Sequence, residues 1–210
     1  MELFTTIKAV LFDLDGTIVE AKEWHYNALN TALWKIAKTK ISRYEHVTYL
    51  NGSPTSVKLE WLLDRGRIRS DQLTEISELK QFETVLAVEN YCVPDLTKIK
   101  LMQGLTDLGI RIACVSNAQL KSIEFMLKKS ALYDYMEFLQ GNENVKPKPN
   151  PEPYIKCCNE LELPPEQCLA IEDHAKGYES SEKAGCHSVL LQYPEVNLKQ
   201  IKKELEKIHA

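Results

Sequence analysis

No part of this 210-residue chain contains an uninterrupted apolar run near the ~18 residues that a membrane-spanning helix needs. The first eight residues lack the basic-then-apolar layout of a signal peptide, and the six cysteines show no C-x-x-C spacing of a zinc or redox motif. We therefore expect a cytoplasmic protein without membrane partners, whose thiols are reduced and mainly buried.

An excess of charge of one sign is also missing. The chain has 26 lysines and arginines against 30 acidic residues, a net charge of −4, and the two signs are interspersed. This balance of charges does not indicate a basic face for nucleic acid, and we expect no nucleic-acid partner. With 44% hydrophobic and 27% charged residues, the composition is that of an ordinary globular protein with a real core. We expect a monomer or a weak homo-oligomer that acts on a small molecule.

Hydrophobic patterning divides the chain into two predicted domains. Residues 21–91 show helical periodicity and almost no strand signal. The remainder alternates short apolar runs with helical segments, which is typical of a parallel sheet flanked by helices. We therefore predict an α/β fold with a Rossmann-like core domain, residues 1–17 and 92–210, and an inserted all-α cap domain at 18–91. The predicted strands are 9–12, 110–115, 136–139, 168–171 and 188–191.

Two aspartates follow the first predicted strand. The apolar run 9–12 leads directly into Asp13-Leu14-Asp15-Gly16-Thr17, where Gly16 indicates a tight turn. Because ligands of open α/β sheets bind beyond the carboxyl ends of the strands, two acids there are well placed for chemistry. An Asp-Gly pair can also be only a turn, so the choice depends on the rest of the chain.

Three further segments carry polar side chains to the same edge of the predicted sheet. Ser116-Asn117 follows the second strand, Glu172-Asp173 follows the fourth, and Lys146 lies in a proline-rich loop. Each has a structural alternative, because the first two could cap helices and Lys146 could be a solvated surface residue. Their joint occurrence on the expected elements favours a catalytic crevice.

Several carboxylates in one crevice need a counter-ion. Two unit charges ~4 Å apart repel each other by roughly 4 kcal/mol at the effective dielectric of a protein surface. The acids at positions 13, 15, 172 and 173 therefore could not all stay ionised alone. A hard divalent cation such as Mg²⁺, together with a lysine, would neutralise them and let a phosphate approach a carboxylate nucleophile. Mg²⁺ is accordingly the predicted cofactor.

These four segments resemble the four motifs of the haloacid dehalogenase superfamily, and the resemblance covers nearly the whole chain. The helical block falls where that family inserts its helical cap, as in its small-molecule phosphatases and its β-phosphoglucomutase branch. The resemblance implies a phosphatase that acts on a small phosphorylated metabolite such as a sugar phosphate. The acid at Asp15 fits phosphate esters, because members that cleave carbon–halogen bonds usually lack it.

The resemblance also implies a role for each motif residue. Asp13 would be the nucleophile that forms an aspartyl-phosphate, and Asp15 the general acid and then general base. Ser116 and Asn117 would hold the transferring phosphoryl group, and Lys146 would bridge it to Asp13. The implied ligands of Mg²⁺ are Asp13, Asp15 through its backbone carbonyl, and Asp173, with Glu172 close by or bound through water.

Other assignments concern the lysine and the cap. Lys148 is a rival for Lys146, but the family register Lys-Pro-x-Pro-x-Pro starts at Lys146, which is therefore preferred. In the cap, His25 lies twelve residues after Asp13, and Asn51 lies in a segment that resembles the substrate-facing loop of the family. We predict both on the substrate side, with an ordinary histidine on a helix as the alternative for His25.

Two alternative functions remain at this point. A β-phosphoglucomutase-type mutase is one, although mutases usually carry basic residues where this chain has Asn51 and Thr55, which favours a hydrolase. The other is a ligand-binding or regulatory protein that has kept the fold without turnover. Against it, all four motif side chains are retained.

Overall fold

The computed structural model describes residues 6–209, so residues 1–5 of the N-terminal segment interpreted above, and residue 210, lie outside the described part. Its contacts divide the chain into two compact units. We call Met1–Glu20 with Val93–Ala210 the core unit and Ala21–Cys92 the helical unit. The role of the helical unit as a cap stays a prediction.

The core unit is built around a five-stranded parallel sheet. Its central strand is buried on both faces, which explains why its sequence is continuously apolar rather than alternating. The strands are β1 (Ala9–Phe12), β2 (Arg111–Val115), β3 (Phe138–Gln140), β4 (Cys168–Glu172) and β5 (His187–Leu190).

The strand order places a switch point at β1. After β1 the chain adds β2 and β3 on one side, and then β4 and β5 on the other. Because β1 pairs in parallel with both β2 and β4, the carboxyl ends of these three strands lie side by side. This is the position at which open α/β sheets bind their ligands.

The helices begin and end at recognisable signals. In the core unit, one helix begins at the N-cap Asp95, whose side chain accepts a hydrogen bond from the backbone N–H of Thr97, 2.8 Å away. Another ends at Gly185, with φ of 91°, a conformation that glycine adopts without strain. The helices are α1 (Lys22–Ala37), α2 (Arg43–Glu45), α3 (Thr55–Leu63) and α4 (Leu73–Tyr91) in the helical unit, and α5 (Leu96–Asp107), α6 (Leu120–Lys129), α7 (Glu152–Glu160), α8 (Ala175–Ala184) and α9 (Leu198–His209) in the core unit.

The helical unit has a hydrophobic core of its own. Leu29, Leu33, Leu59, Leu62 and Ile76 are buried together in it. A π-helical turn, His46–Leu50, follows α2 and was not predicted. The predicted α/β fold class, with a parallel sheet flanked by helices, is confirmed. Across residues 6–209, every helix is too short or too polar to cross a membrane.

Candidate active site

The carboxyl end of β1 positions the two aspartates. The backbone N–H of Asp13 donates to the carbonyl of Ile171, 2.9 Å away, which continues the β1–β4 ladder by one residue. Gly16 then turns the chain with φ of 88°, and its N–H donates to the carbonyl of Val19 at 2.7 Å. Asp13 is buried by this arrangement, whereas Asp15 in the turn is half-buried.

A lysine reaches Asp13 from the loop that precedes α7. The Nζ of Lys148 lies 2.9 Å from Oδ1 of Asp13 and 2.6 Å from the carbonyl oxygen of Val115, and it also donates to Oε1 of Glu172. Only 4% of this side chain is exposed. One ammonium group is therefore held between two carboxylates in a place with little water, where charge-assisted hydrogen bonds are strong.

The preference for Lys146 at this position is corrected to Lys148. The side chain of Lys146 is 75% exposed, and its Nζ lies 3.8 Å from Glu152. The reason is the anchoring of the loop. Oδ1 of Asn117 accepts from the backbone N–H of Lys148 at 2.9 Å, and its Nδ2 donates to the carbonyl of Lys148 at 3.3 Å. The backbone N–H of Lys146 is held instead by Glu152, at 2.8 Å.

Ser116 and Asn117, which follow β2, stabilise the loops of the site. Ser116 is buried, and its Oγ accepts from the backbone N–H of Ala118 at 3.1 Å, so it stabilises the turn rather than capping α6, which begins at Leu120. The side chain of Asn117 holds the lysine loop, a contact different from the phosphoryl contact predicted for it. Both residues lie at the sheet edge next to Asp13, as the register of β1 and β2 requires.

Tyr154 on α7 is a site residue that the sequence reasoning missed. Its hydroxyl donates to Oε1 of Glu172, the same oxygen that accepts from Lys148, and its side chain is fully buried. On the other side, a Cβ at Gly177 would overlap the carboxylate of Glu172. Glu172 is therefore fixed from both sides. The sequence offered one signal, a tyrosine on the apolar face of a helix. Such a tyrosine is buried, and its hydroxyl then needs a hydrogen-bond partner.

The acids form a cluster that fits a divalent cation. One carboxylate oxygen each from Asp13, Glu172 and Asp173 lie within 4.8 Å of one another. Hard oxygen donors are the ligands that Mg²⁺ and similar cations prefer. The helix α8 that follows this pair is capped by His174, whose Nδ1 accepts from the backbone N–H of Lys176 at 3.2 Å.

Burial and charge shift the pKa values of this cluster. Burial raises the pKa of Asp13 well above its usual value, Lys148 opposes this, and the carboxyls of Glu172, Asp173 and Asp15 add to it. Burial likewise raises the pKa of Glu172 against the effect of Lys148. For Lys148 the two carboxylates outweigh burial, so its pKa is raised and it stays protonated. With more acids than bases, the site favours a further cation.

The remaining predicted residues belong to the helical unit. Nδ1 of His25 lies 3.4 Å from Nζ of Lys80, and Oδ1 of Asn51 accepts from the backbone N–H of Gly52 at 3.1 Å. Their assignment to the substrate side stays a prediction.

Comparison with known proteins places the chain in a family. The sequence model of the haloacid dehalogenase-like hydrolases matches residues 7–185, so the chain belongs to that family. It is 28% identical over 195 residues to the phosphoglycolate phosphatase of Nitrosospira multiformis, covering 89% of this chain and 84% of the relative. It is 27% identical over 196 residues to the putative phosphatase YhcW of Bacillus subtilis, covering 88% and 83%.

The fold is also found in solved structures. The crystal structure of β-phosphoglucomutase from Clostridium difficile superposes with a TM-score of 0.81 over 97% of this chain and 98% of that one, at 21% sequence identity. At this identity the similarity establishes a shared fold.

Proposed function

We propose that this protein is a Mg²⁺-dependent phosphatase that hydrolyses a small phosphorylated metabolite through an aspartyl-phosphate on Asp13. The observation that carries the proposal is the buried contact of Lys148 with both Asp13 and Glu172 at the switch point of the sheet. An acid that serves only in packing rarely lies at a strand end with a buried lysine and two further carboxylates.

Each side chain has a task in the proposed reaction. A carboxylate oxygen of Asp13 attacks phosphorus while Asp15, two residues later, gives a proton to the leaving oxygen. Asp15 then takes a proton from the water that hydrolyses the acyl phosphate, which restores Asp13. Lys148 compensates charge on Asp13 and on the approaching phosphate, with Glu172 and Tyr154 keeping its ammonium in place.

Mg²⁺ would be held by Asp13 and Asp173, with Glu172 close by and the backbone carbonyl of Asp15 as a further ligand. When bound, it supplies positive charge that favours the ionised form of Asp13 and attracts a phosphate. The three clustered carboxylates support this assignment.

The relatives support the substrate class. Two sequence relatives that cover most of this chain are named as phosphatases, one of them for phosphoglycolate, a small phosphorylated acid. We propose a small phosphate monoester of this general kind, sugar phosphates included, as the substrate.

The test is phosphate release from para-nitrophenyl phosphate and a panel of phosphorylated metabolites. We expect turnover with Mg²⁺, its loss on addition of EDTA, and a fall of at least about a thousandfold in Asp13→Asn. The matched control is Asp107→Asn, the same isosteric change at an exposed position on α5, which should behave as wild type.

Three results would count against the proposal. Full activity in Asp13→Asn would show that Asp13 is not the nucleophile. Interconversion of hexose 1- and 6-phosphates with little release of phosphate would indicate a mutase. Binding of phosphate esters without turnover on any of them would indicate a non-catalytic protein.

A further inference from the structure

Three cysteines from separate elements meet in the core unit, away from the acidic cluster. Sγ of Cys158, on α7, lies 3.7 Å from Sγ of Cys168, at the start of β4. It lies 3.8 Å from Sγ of Cys186, which follows the end of α8. Cys158 is therefore in contact with two thiols at once, although 10 and 28 residues separate it from them.

These distances are those of sulfur atoms in contact but not bonded. A disulfide requires an S–S distance of about 2.05 Å, so a rotation of one or both side chains has to bring the sulfurs together. The three residues belong to one hydrophobic cluster of the core. Their chain segments are already held next to each other by the fold, so no loop has to be closed before the sulfurs can react.

The three thiols differ in exposure and in acidity. Cys186 is 7% exposed, against 1% for Cys158 and 0% for Cys168. Hydrogen bonding from the neighbouring thiols lowers the pKa of the Cys158 thiol, because it stabilises the thiolate, and the same hydrogen bonds raise the pKa of the Cys168 and Cys186 thiols. The thiolate is the form of cysteine that attacks another sulfur. The cluster thus combines one nucleophilic thiol, Cys158, with two neighbouring thiols, of which Cys186 is the more exposed.

We propose that Cys158, Cys168 and Cys186 form a site of reversible oxidation, in which a peroxide converts Cys158 and one of its two neighbours into an intrachain disulfide. The site is separate from the proposed phosphatase chemistry and does not depend on it. The proposed bond ties α7, which carries Tyr154, to β4, which ends at Glu172, or to the segment that leads into β5.

The reaction balances with hydrogen peroxide as the oxidant. Peroxide transfers an oxygen atom to the thiolate sulfur of Cys158, giving a sulfenic acid and, with the proton released from that thiol, one water. The sulfur of Cys186 or Cys168 then attacks that of Cys158, and the hydroxide that leaves takes the proton of the attacking thiol as a second water. Two thiols have lost two electrons and two protons. Attack by Cys168 on the Cys158 sulfur moves the bond to Cys158–Cys168 and releases the Cys186 thiolate.

The test is thiol mapping of the native protein. Wild-type protein is treated with hydrogen peroxide, quenched with an alkylating reagent, denatured, alkylated with a second reagent and digested for mass spectrometry. We expect two of the six cysteines to escape alkylation, Cys158 to be joined to Cys168 or Cys186, and dithiothreitol to restore both thiols. Alkylation of all six, or a link that omits Cys158, would overturn the proposal.

Variants sharpen the result. Cys158→Ala should keep all its remaining thiols free, whereas Cys157→Ala, a change at the adjacent buried cysteine of α7, should form the disulfide as wild type does. Cys168→Ala should give only the Cys158–Cys186 link, and Cys186→Ala only the Cys158–Cys168 link. Because the wild-type map decides the question by itself, a variant that fails to fold leaves the test intact.

Discussion

At the scale of single residues, the charge balance of the site rests on Lys148. Its ammonium group is the positive partner of both Asp13 and Glu172, and all three side chains are buried. Removing one member of a buried ionic group leaves the others without compensation, which costs more than the pair contributes. Lys148 therefore matters for the ionisation of Asp13 as well as for the contact with a phosphate that we propose.

The two lysines of the loop allow a matched comparison. We expect Lys148→Met to lower kcat for phosphate-ester hydrolysis by at least about 100-fold, because the charge beside Asp13, the proposed nucleophile, is lost. Lys146→Met removes the same charge from an exposed position and should leave kcat close to wild type. Steady-state kinetics on para-nitrophenyl phosphate measures both. A larger loss of kcat in Lys146→Met than in Lys148→Met would mean that Lys146 is the lysine that acts in the reaction.

The choice between these lysines shows where sequence reasoning ends. Both precede a proline in the same short loop, so local sequence treats them alike. Two contacts decide between them. The side-chain amide of Asn117, 31 residues earlier, makes two hydrogen bonds with the backbone of Lys148, and the carboxylate of Glu152 accepts from the backbone N–H of Lys146. Such contacts depend on the folded chain. The strand-end positions of Asp13, Glu172 and Asp173, in contrast, were predictable because an apolar run precedes each pair of polar residues.

Tyr154 gives a residue-scale prediction about stability. Tyr154→Phe removes a buried hydrogen bond to a carboxylate, and such bonds contribute about 1.5–3 kcal/mol. We expect a loss of that size in the free energy of unfolding, measured by urea denaturation. Tyr178→Phe is the control, since Tyr178 donates to Glu182 on the exposed face of α8 and its loss should cost within about 0.5 kcal/mol. Equal losses of stability in the two variants would mean that the hydrogen bond to Glu172 contributes no more than an exposed one.

At the scale of elements, α8 packs against the site through a glycine. Replacing glycine by alanine inside a helix normally stabilises it by about 1 kcal/mol. At Gly177 the added methyl would meet the carboxylate of Glu172, which is held by Lys148 and Tyr154 and cannot move aside. Helix propensity and site geometry therefore oppose each other at this position.

We expect Gly177→Ala to lower kcat by about 100-fold, the cost of displacing an active-site group by about 1 Å. Gly104→Ala, within α5, is the control: its methyl would meet the side chain of Leu198, which can rotate away. Kinetics of the two variants, with circular dichroism to check folding, measures the difference. Wild-type activity in Gly177→Ala would show that Glu172 tolerates displacement.

Elements with strong local signals could be predicted, and those that depend on context could not. The strand predicted at 168–171 is β4, Cys168–Glu172, because its residues are apolar and buried on both faces. The strand predicted at 136–139 is β3, Phe138–Gln140, a short edge strand whose bounds are set by pairing with β2. The helix α2 was missed although Ser42 and Glu45 form a capping box, because an element of three residues has no periodicity.

At the scale of the whole molecule, the two units carry different titratable chemistry. The acidic cluster belongs to the core unit, whereas the helical unit buries His46, which packs edge-on against Tyr26 with ring centroids 5.1 Å apart. Burial lowers the pKa of His46 from 6.5 to about 4, and the positive charges of Lys58, Arg43 and His25 add to this against Glu23. The folded helical unit therefore holds His46 neutral.

This predicts an acid sensitivity that belongs to the helical unit. Below pH 6.5 the unfolded chain binds a proton at His46, whereas the folded chain binds it only near pH 4. The free energy of unfolding therefore falls as the pH drops through this window. Between pH 7 and pH 5 the loss from this one group is about 2 kcal/mol.

All three tryptophans, Trp24, Trp34 and Trp61, lie in the helical unit, so their fluorescence during urea unfolding reports on it. His46→Phe keeps an aromatic ring at this position. The free energy of unfolding should then differ between pH 7 and pH 5 by about 2 kcal/mol less than in wild type. A measurement at pH 8, where residue 46 is neutral in both proteins, serves as the baseline. The same pH dependence in His46→Phe and wild type would mean that other groups destabilise the helical unit in acid.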